Sequence, residues 1–336
     1  MRIAVIGAGA VGGAIAALLH RAGHEVEITA RGAHLRAVRA SGLRLRGAWG
    51  DHVARVAASP RLTGPVDLAI VTTKAQDATA AIADNLPVIG DAPLLVVQNG
   101  LDALVTAHAA APANRVAGAL AMFAASYLSP GAVTITTANT TFVGGDDSDT
   151  AAVFARVLGD VMPVELVDDF AGAQWTKLVI NQINALPAVT GLSVQDTIAH
   201  RGLRRVLTRS MREAAGVAVH DGVRFATLGG LSETRLRLFL AAPLWAAQLL
   251  PLSMRRRMGT TPNPGSTLQS IRRGQPSEID YLNGAVVAAG ERAGVPTPIN
   301  ALIVRLVHEV ETSKTFVVPE VVIARVATAT AQPDEG

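Results

Sequence analysis

The segment QWTKLVINQIN, Gln174 to Asn184, sets Lys177, Asn181 and Asn184 into an otherwise apolar run. On a helix turning about 100° per residue these three fall at about 0°, 40° and −20°, so all project from one narrow face. That face is either the wet stripe of an amphipathic helix or the lining of a site. A lysine held among apolar neighbours has its pKa lowered toward neutrality, which suits it to protonate a carbonyl oxygen as hydride reaches the carbon. The asparagines can hydrogen-bond a substrate without adding charge. Farther on, STLQSIRRGQPSEIDYLNG carries Ser266 and Glu278. Ser277 reads as an N-cap with Asp280 three residues later, so Glu278 is expected in a first helical turn. There it is either a dipole-favoured surface acid or the group that holds a substrate hydroxyl and orients the lysine.

A hydride needs a carrier, and the chain opens on one candidate site for it. Gly7, Gly9 and Gly12 form G-x-G-x-x-G between the apolar run RIAVI and the Ala/Leu-rich AIAALLHRAGH. In that context the glycines permit a tight turn and let backbone N–H groups reach a pyrophosphate. For NAD the next strand should close on an acid that binds the ribose 2′-hydroxyl. Here it closes Thr29-Ala30-Arg31-Gly32, with Glu25 and Glu27 earlier in the strand. Arg31 is suited to a 2′-phosphate, so NADPH is the expected cofactor, a solvated arginine being the alternative. Lys74 follows the apolar VDLAIVTT and Asn99 follows LLVVQ. Lys74 can reach a phosphate and Asn99 a nicotinamide amide or the substrate, or both are ordinary loop residues.

The elements that must position these groups follow from hydrophobic periodicity. Short apolar strands alternate with helical stretches up to PVELV near residue 165, and after Phe170 every pattern is helical. The expected fold is α/β: an N-terminal Rossmann-type, doubly wound parallel sheet over residues 1–169, then an all-helical domain over 170–327 and a disordered tail over 328–336. A chain of 336 residues also exceeds what one core ordinarily serves.

Composition narrows the function classes. Apolar residues make up 49% and charged residues 17%, the balance of a packed globule. The absence of cysteine removes thiolate nucleophiles and Cys-based zinc sites, no H-E-x-x-H motif is present, and no metal is expected. Arginines cluster in RGLRRVLTRSMR without interleaved aromatics, which argues against nucleic acid as partner. No export signal is visible at the N-terminus, and a cytoplasmic location is the simplest fit. The apolar stretch 238–254 is short and broken by Pro243 and Pro251. It predicts a helical cover or a subunit contact, the latter implying a homodimer, and not a membrane anchor.

Taken together, GAGAVGG, ARGAHLRA, GLRL, VTTKAQD, VVQNGL, SPGAV, WTKLVIN, the Ser266 to Gly284 stretch and GVPTPIN resemble the ketopantoate reductases, also called 2-dehydropantoate 2-reductases, over nearly the whole chain. The resemblance implies reduction of a small 2-keto acid, 2-dehydropantoate to pantoate, in pantothenate biosynthesis. It implies that Lys177 is the general acid and that Glu278 contacts the substrate hydroxyl. Asn99, Asn181 and Ser266 would touch substrate or nicotinamide, and the glycines, Arg31 and Lys74 would serve NADPH. In well-known members the second asparagine follows the first by four residues and precedes proline; here Asn184 follows after three and Pro187 stands later. The segment 225–262 is also longer and more apolar than such a fold requires. The alternatives are a β-hydroxyacid dehydrogenase-like reductase, which would show Lys-x-x-Asn-Asn, and a non-catalytic NADP(H)-sensing protein.

Overall fold

The structure is a computed structural model that describes residues 1–259 and 261–330, the side chain of Leu128 excepted. It divides into two compact units, Met1–Ala173 and Gln174 onward.

The first unit is built on strands whose every residue is apolar, such as β6 (Leu68–Val71, LAIV) and β7 (Leu94–Val97, LLVV). Runs of this kind belong in a sheet covered on both faces. With β1 (Arg2–Ile6), β2 (Glu25–Thr29), β5 (Ala57–Ser59) and β8 (Val116–Ala121), they form six parallel strands in the order β5-β2-β1-β6-β7-β8. That order is the doubly wound dinucleotide-binding arrangement, which reverses direction beside β1. Two strands extend it: β11 (Thr141–Gly144), antiparallel to β8, and β12 (Val164–Leu166).

One face of the sheet packs under α3 (Ala78–Ile89) and α4 (Ala103–Ala110), the other under α1 (Ala10–Arg21) and α5 (Ser148–Gly159), giving two cores. Each fully buried Leu or Ile there contributes about 1.5–3 kcal/mol.

A second, four-stranded sheet was not anticipated. It joins β3 (Leu43–Gly47) and β4 (His52–Ala54) to the hairpin β9 (Ala124–Ser129) and β10 (Ala132–Thr137), in the order β4-β3-β10-β9. It lies on α1, where Gly13 permits the contact: a Cβ at Gly13 would stand 2.9 Å from Val133 Cγ1.

The helix α6 (Phe170–Asn181) starts four residues before the unit boundary, capped by Asp169 Oδ1, which accepts the Gly172 N–H at 2.8 Å. The boundary between the two units falls after Ala173, and Phe170 packs on the sheet of the first unit. Its ring lies 2.3 Å from where a Cβ on Gly118 would be.

Among the described residues the second unit is built of helices, with one isolated bridge between Leu228 and Leu231: α7 (Ala185–Thr190), α8 (Val194–Ala199), α9 (Arg201–His220), α10 (Glu233–Ala241), α11 (Leu244–Ala247), α12 (Leu249–Arg257), α13 (Gly265–Arg272), α14 (Asn283–Ala293), α15 (Pro298–Ser313) and α16 (Pro319–Ala329). The apolar stretch 238–254 is spread over α10, α11 and α12, with Leu238, Trp245 and Leu249 exposed. Among the described residues no helix is long and apolar enough to cross a membrane. Of the tail expected to be disordered, Thr328 and Ala329 close α16, while 331–336 lie outside the described residues.

Candidate functional site

In the first unit the ends of β1, β2, β6 and β7 converge on the glycine turn. Gly7 sits at φ +97°, and a Cβ there would come within 2.8 Å of the Thr73 nitrogen, so this position requires glycine. Gly12 is as tightly held, 2.1 Å from Thr72 Oγ1 by the same measure. Gly9 differs: a Cβ on it would meet nothing within 4 Å, and it caps α1 with no side chain on the first-turn N–H groups. These donors, at the positive end of α1 and approachable across a bare Cα, suit a pyrophosphate.

Side chains that the sequence reading passed over brace the turn. Thr29 Oγ1 accepts the Gly7 N–H at 2.9 Å, Thr72 Oγ1 donates to the Gly7 carbonyl at 2.7 Å, and Gln98 Nε2 donates to the Thr73 carbonyl at 2.9 Å. The available signal was a polar residue at the carboxyl end of each apolar strand. Lys74 and Asn99, both half-buried, directly follow Thr73 and Gln98.

The second strand settles what its acids do. Glu27, 2% exposed, accepts from the Thr63 N–H at 2.7 Å, from Thr63 Oγ1 at 2.8 Å, and pairs with Arg2 at 3.2 Å. Glu25 pairs with Arg2 at the start of the strand, about 13 Å from its carboxyl end at ~3.3 Å per residue. At that carboxyl end stands Arg31, exposed, in extended backbone as the residue before α2 (Gly32–Ser41).

In the second unit Lys177 is only 7% exposed, between the buried Thr176 and Leu178, so it does not lie on a wet stripe. Thr176 Oγ1 anchors this turn of α6 by donating to the Ala226 carbonyl at 2.8 Å. Burial pulls the Lys177 pKa from 10.5 down to about 8, although the nearby Glu278 charge pulls it upward. The fold therefore brings Lys177 and Glu278 together.

The helix expected to run through Asn184 stops at Asn181 and continues as a 3₁₀ turn, Gln182–Asn184. At three residues per turn, Asn184 comes nearly into line with Asn181, and both are half-buried. Asn184 Oδ1 lies against Gly265, 2.8 Å from where a Cβ would be, which places it beside Ser266, the exposed residue in the otherwise buried first turn of α13.

The expectation for Glu278 is corrected in one respect. It is not in the first turn of an α-helix but precedes a 3₁₀ turn, Ile279–Tyr281, because Ser277 Oγ takes the Ile279 N–H at 3.3 Å. Asp280 turns away to His308 Nε2 at 2.9 Å. Glu311 accepts the Ser277 N–H at 2.7 Å and meets His308 Nδ1 at 2.9 Å, so α15 holds the loop that carries Glu278.

Behind these residues lies a buried polar network that the sequence reading did not identify. Asn283 Nδ2 donates to Gln182 Oε1 at 2.7 Å and to Asn300 Oδ1 at 2.9 Å, and Ser210 Oγ reaches the same two oxygens at 2.8 and 3.0 Å. Glu213 completes it by accepting from the Ile299 and Asn300 N–H groups at the start of α15, at 2.9 and 2.8 Å. Its pKa is raised by burial, which outweighs those hydrogen bonds.

The arginine run of α9 is partly internal: Arg204 binds the Ile198 carbonyl at 2.8 Å and Arg212 the Leu240 carbonyl at 3.0 Å. Among the described residues no cluster of three or more His, Asp or Glu could hold a metal ion.

Comparison with known proteins identifies a family. The family model described as ketopantoate reductase PanE/ApbA matches residues 3–147, and its C-terminal counterpart matches residues 169–311. A 2-dehydropantoate 2-reductase of Mesorhizobium japonicum is 29% identical, with 92% of this chain and 97% of that protein covered. The crystal structure of a PanE/ApbA family ketopantoate reductase from Ralstonia eutropha JMP134 superposes with a TM-score of 0.78 at 30% identity, covering 93% of this chain and 99% of that one. D-mandelate dehydrogenase in a ternary structure with NADH and anilino(oxo)acetate has a TM-score of 0.79 at 21% identity, over 93% and 99% of the two chains, a likeness of fold.

Proposed function

Because the chain belongs to the ketopantoate reductase family, an oxidoreductase family, we propose that it reduces a small 2-keto acid with NADPH, converting 2-dehydropantoate to pantoate for pantothenate biosynthesis in the cytoplasm. The observation that carries this reading is the buried Lys177 with its pKa near 8, held beside Glu278.

When bound, the reduced nicotinamide supplies a hydride to the carbonyl carbon of the substrate. The protein must then provide the proton for the oxygen. Lys177 Nζ gives it, and a pKa near 8 lets the lysine be protonated at neutral pH yet a stronger acid than a solvated one. Glu278 accepts a hydrogen bond from the substrate hydroxyl and keeps the ammonium oriented. Asn181, Asn184 and Ser266 add neutral hydrogen bonds that hold the keto acid. Gly7, Gly9 and Gly12 hold the pyrophosphate, Arg31 the 2′-phosphate, Lys74 a phosphate and Asn99 the nicotinamide amide or the substrate. NADPH is favoured over NADH because Glu27 is already engaged by Thr63 and Arg2, leaving Arg31 as the charged group where the strand ends.

Steady-state assays with NADPH and NADH across 2-dehydropantoate and other branched and aryl 2-keto acids test the reading. Turnover of 2-dehydropantoate with NADPH is expected to have the largest kcat/KM. A higher kcat/KM with NADH overturns the cofactor assignment, and no turnover of any 2-keto acid overturns the activity.

A further inference from the structure

Glu278 sits between two fastenings to α15, and one side chain joins them. On its N-terminal side the Ser277 N–H donates to Glu311 Oε1 at 2.7 Å. On its C-terminal side Asp280 Oδ1 meets His308 Nε2 at 2.9 Å. His308 Nδ1 meets Glu311 Oε2, also at 2.9 Å, so the ring closes a circuit around the loop that carries Glu278. Ile279, fully buried, seats the 3₁₀ turn between these ties.

This circuit fixes the charge of the ring. An ionised carboxylate only accepts hydrogen bonds, and a neutral imidazole has one N–H to give. Two carboxylates on the two ring nitrogens are satisfied together only by the imidazolium, which donates from both. Partial burial works against that charge, but the hydrogen bonds to Asp280 and Glu311 outweigh it and hold the ring's pKa above its ordinary 6.5. Burial likewise opposes the charge of Glu311, and its bonds from Ser277 and His308 outweigh that and hold the carboxyl below the usual range. The elements packed on α15 are α7, α9, α14, α16 and the 3₁₀ turn, and the charges that act on the ring are Asp280 from that turn and Glu311 from α15 itself. The other charged groups nearby are engaged or distant. α7 is uncharged, and Glu213 of α9 is bound by the Ile299 and Asn300 N–H groups at the start of α15. Glu291 and Arg292 close α14 just ahead of that start, which lies about 15 Å along the helix from His308. Arg325 of α16 pairs with Glu309 at 2.6 Å, and Lys314 donates to the Glu311 carbonyl.

We propose that His308 is a positioning residue for Glu278, gripping its loop on both sides as an imidazolium and releasing one side as the neutral ring, so that the hold on a 2-keto acid weakens as pH rises. The inference rests on reading Glu278 as the group that binds the substrate hydroxyl. By linkage, a cation favoured by folding is fully in place below 6.5 and is lost as pH rises through the raised pKa of the folded ring. His308 is exposed, so solvent screens both pairs and the effect is small.

Steady-state kinetics of the full chain with NADPH and 2-dehydropantoate, from about pH 6 to about pH 9, separate this effect from that of the lysine. In the parent, KM for 2-dehydropantoate should rise about 2- to 5-fold as the ring loses its proton, while kcat keeps its own decline near 8. His308→Gln, neutral throughout, should show the raised KM at every pH. His308→Arg, charged throughout and with divergent donors, should show the lower one. The ring itself, followed by NMR, should titrate above 6.5 in the parent and at lower pH in Asp280→Asn. A parental rise of KM with pH in either His308 variant overturns the proposal, as does a ring that titrates at or below 6.5. Glu278→Gln, assayed alongside, tells this failure from that of the site. If it raises KM while His308→Gln does not, the role of His308 alone falls. If it leaves KM unchanged, the reading of Glu278 fails, and this inference with it.

Discussion

Gln182 and Asn283 stand five residues beyond Lys177 and Glu278 respectively, and they are hydrogen-bonded to each other at 2.7 Å in the buried network of the second unit. The segment carrying the lysine and the segment carrying the carboxylate are thus pinned in the same relative register in which their charges meet. Replacing Asn283 with leucine removes the donor shared by Gln182 and Asn300 and should destabilise the protein by about 1–3 kcal/mol in urea unfolding. If the network also orients the pair, the pH at which kcat/KM declines should move as well. A loss of stability with an unmoved profile would limit the network to a structural role.

Lys177→Ala should lower kcat by about 10²–10⁴ while NADPH binding stays intact, as expected on losing a general acid. In the parent, kcat/KM should fall as pH rises through about 8, because the proton to be donated is then gone. Near-parental kcat in the alanine variant on every 2-keto acid tested would end the catalytic assignment.

The same lysine should cost stability. Folding lowers its pKa from 10.5 to about 8, so between those values the unfolded chain binds more protons than the folded one, and stability rises with pH across that interval. Below about 8 the penalty is present in full; above 10.5 both states are neutral and it vanishes. Lys177→Met, similar in volume and uncharged, should therefore be more stable than the parent at pH 7 by about 1–3 kcal/mol. The gap should close toward pH 10.5. Chemical denaturation at several pH values measures it, and a methionine variant less stable at pH 7 would contradict the prediction.

Arg31→Ala should raise KM for NADPH far more than for NADH, by roughly 1.5–3 kcal/mol in kcat/KM if a charge-assisted phosphate contact is lost. Equal effects on both nucleotides would show that the exposed guanidinium has no part in selecting between them.

Local pattern was sufficient wherever a residue's role follows from its own neighbours in the chain. The glycine turn was legible because Gly7, Gly9 and Gly12 lie between an apolar strand and a helix within a dozen residues, and backbone sterics there depend on short-range geometry. The parallel sheet was legible because strands covered on both faces must be apolar throughout. Lys177 and Asn181 share a face because the helix carries them both.

Tertiary structure decided everything that depends on groups far apart in sequence. That Lys177 is buried and not on a wet stripe follows from what packs on α6, including Ala226 fifty residues away. Glu27 is unavailable to a ribose because Thr63, 36 residues on, occupies its carboxylate. The second sheet joins β3 to β10 across some ninety residues, and His34 meets Gly131 only through it. Amphipathic period and turn chemistry report a residue's immediate surroundings. The desolvation and hydrogen bonding that set a pKa, engage an acid or fix a tautomer are contributed by partners that the period does not encode.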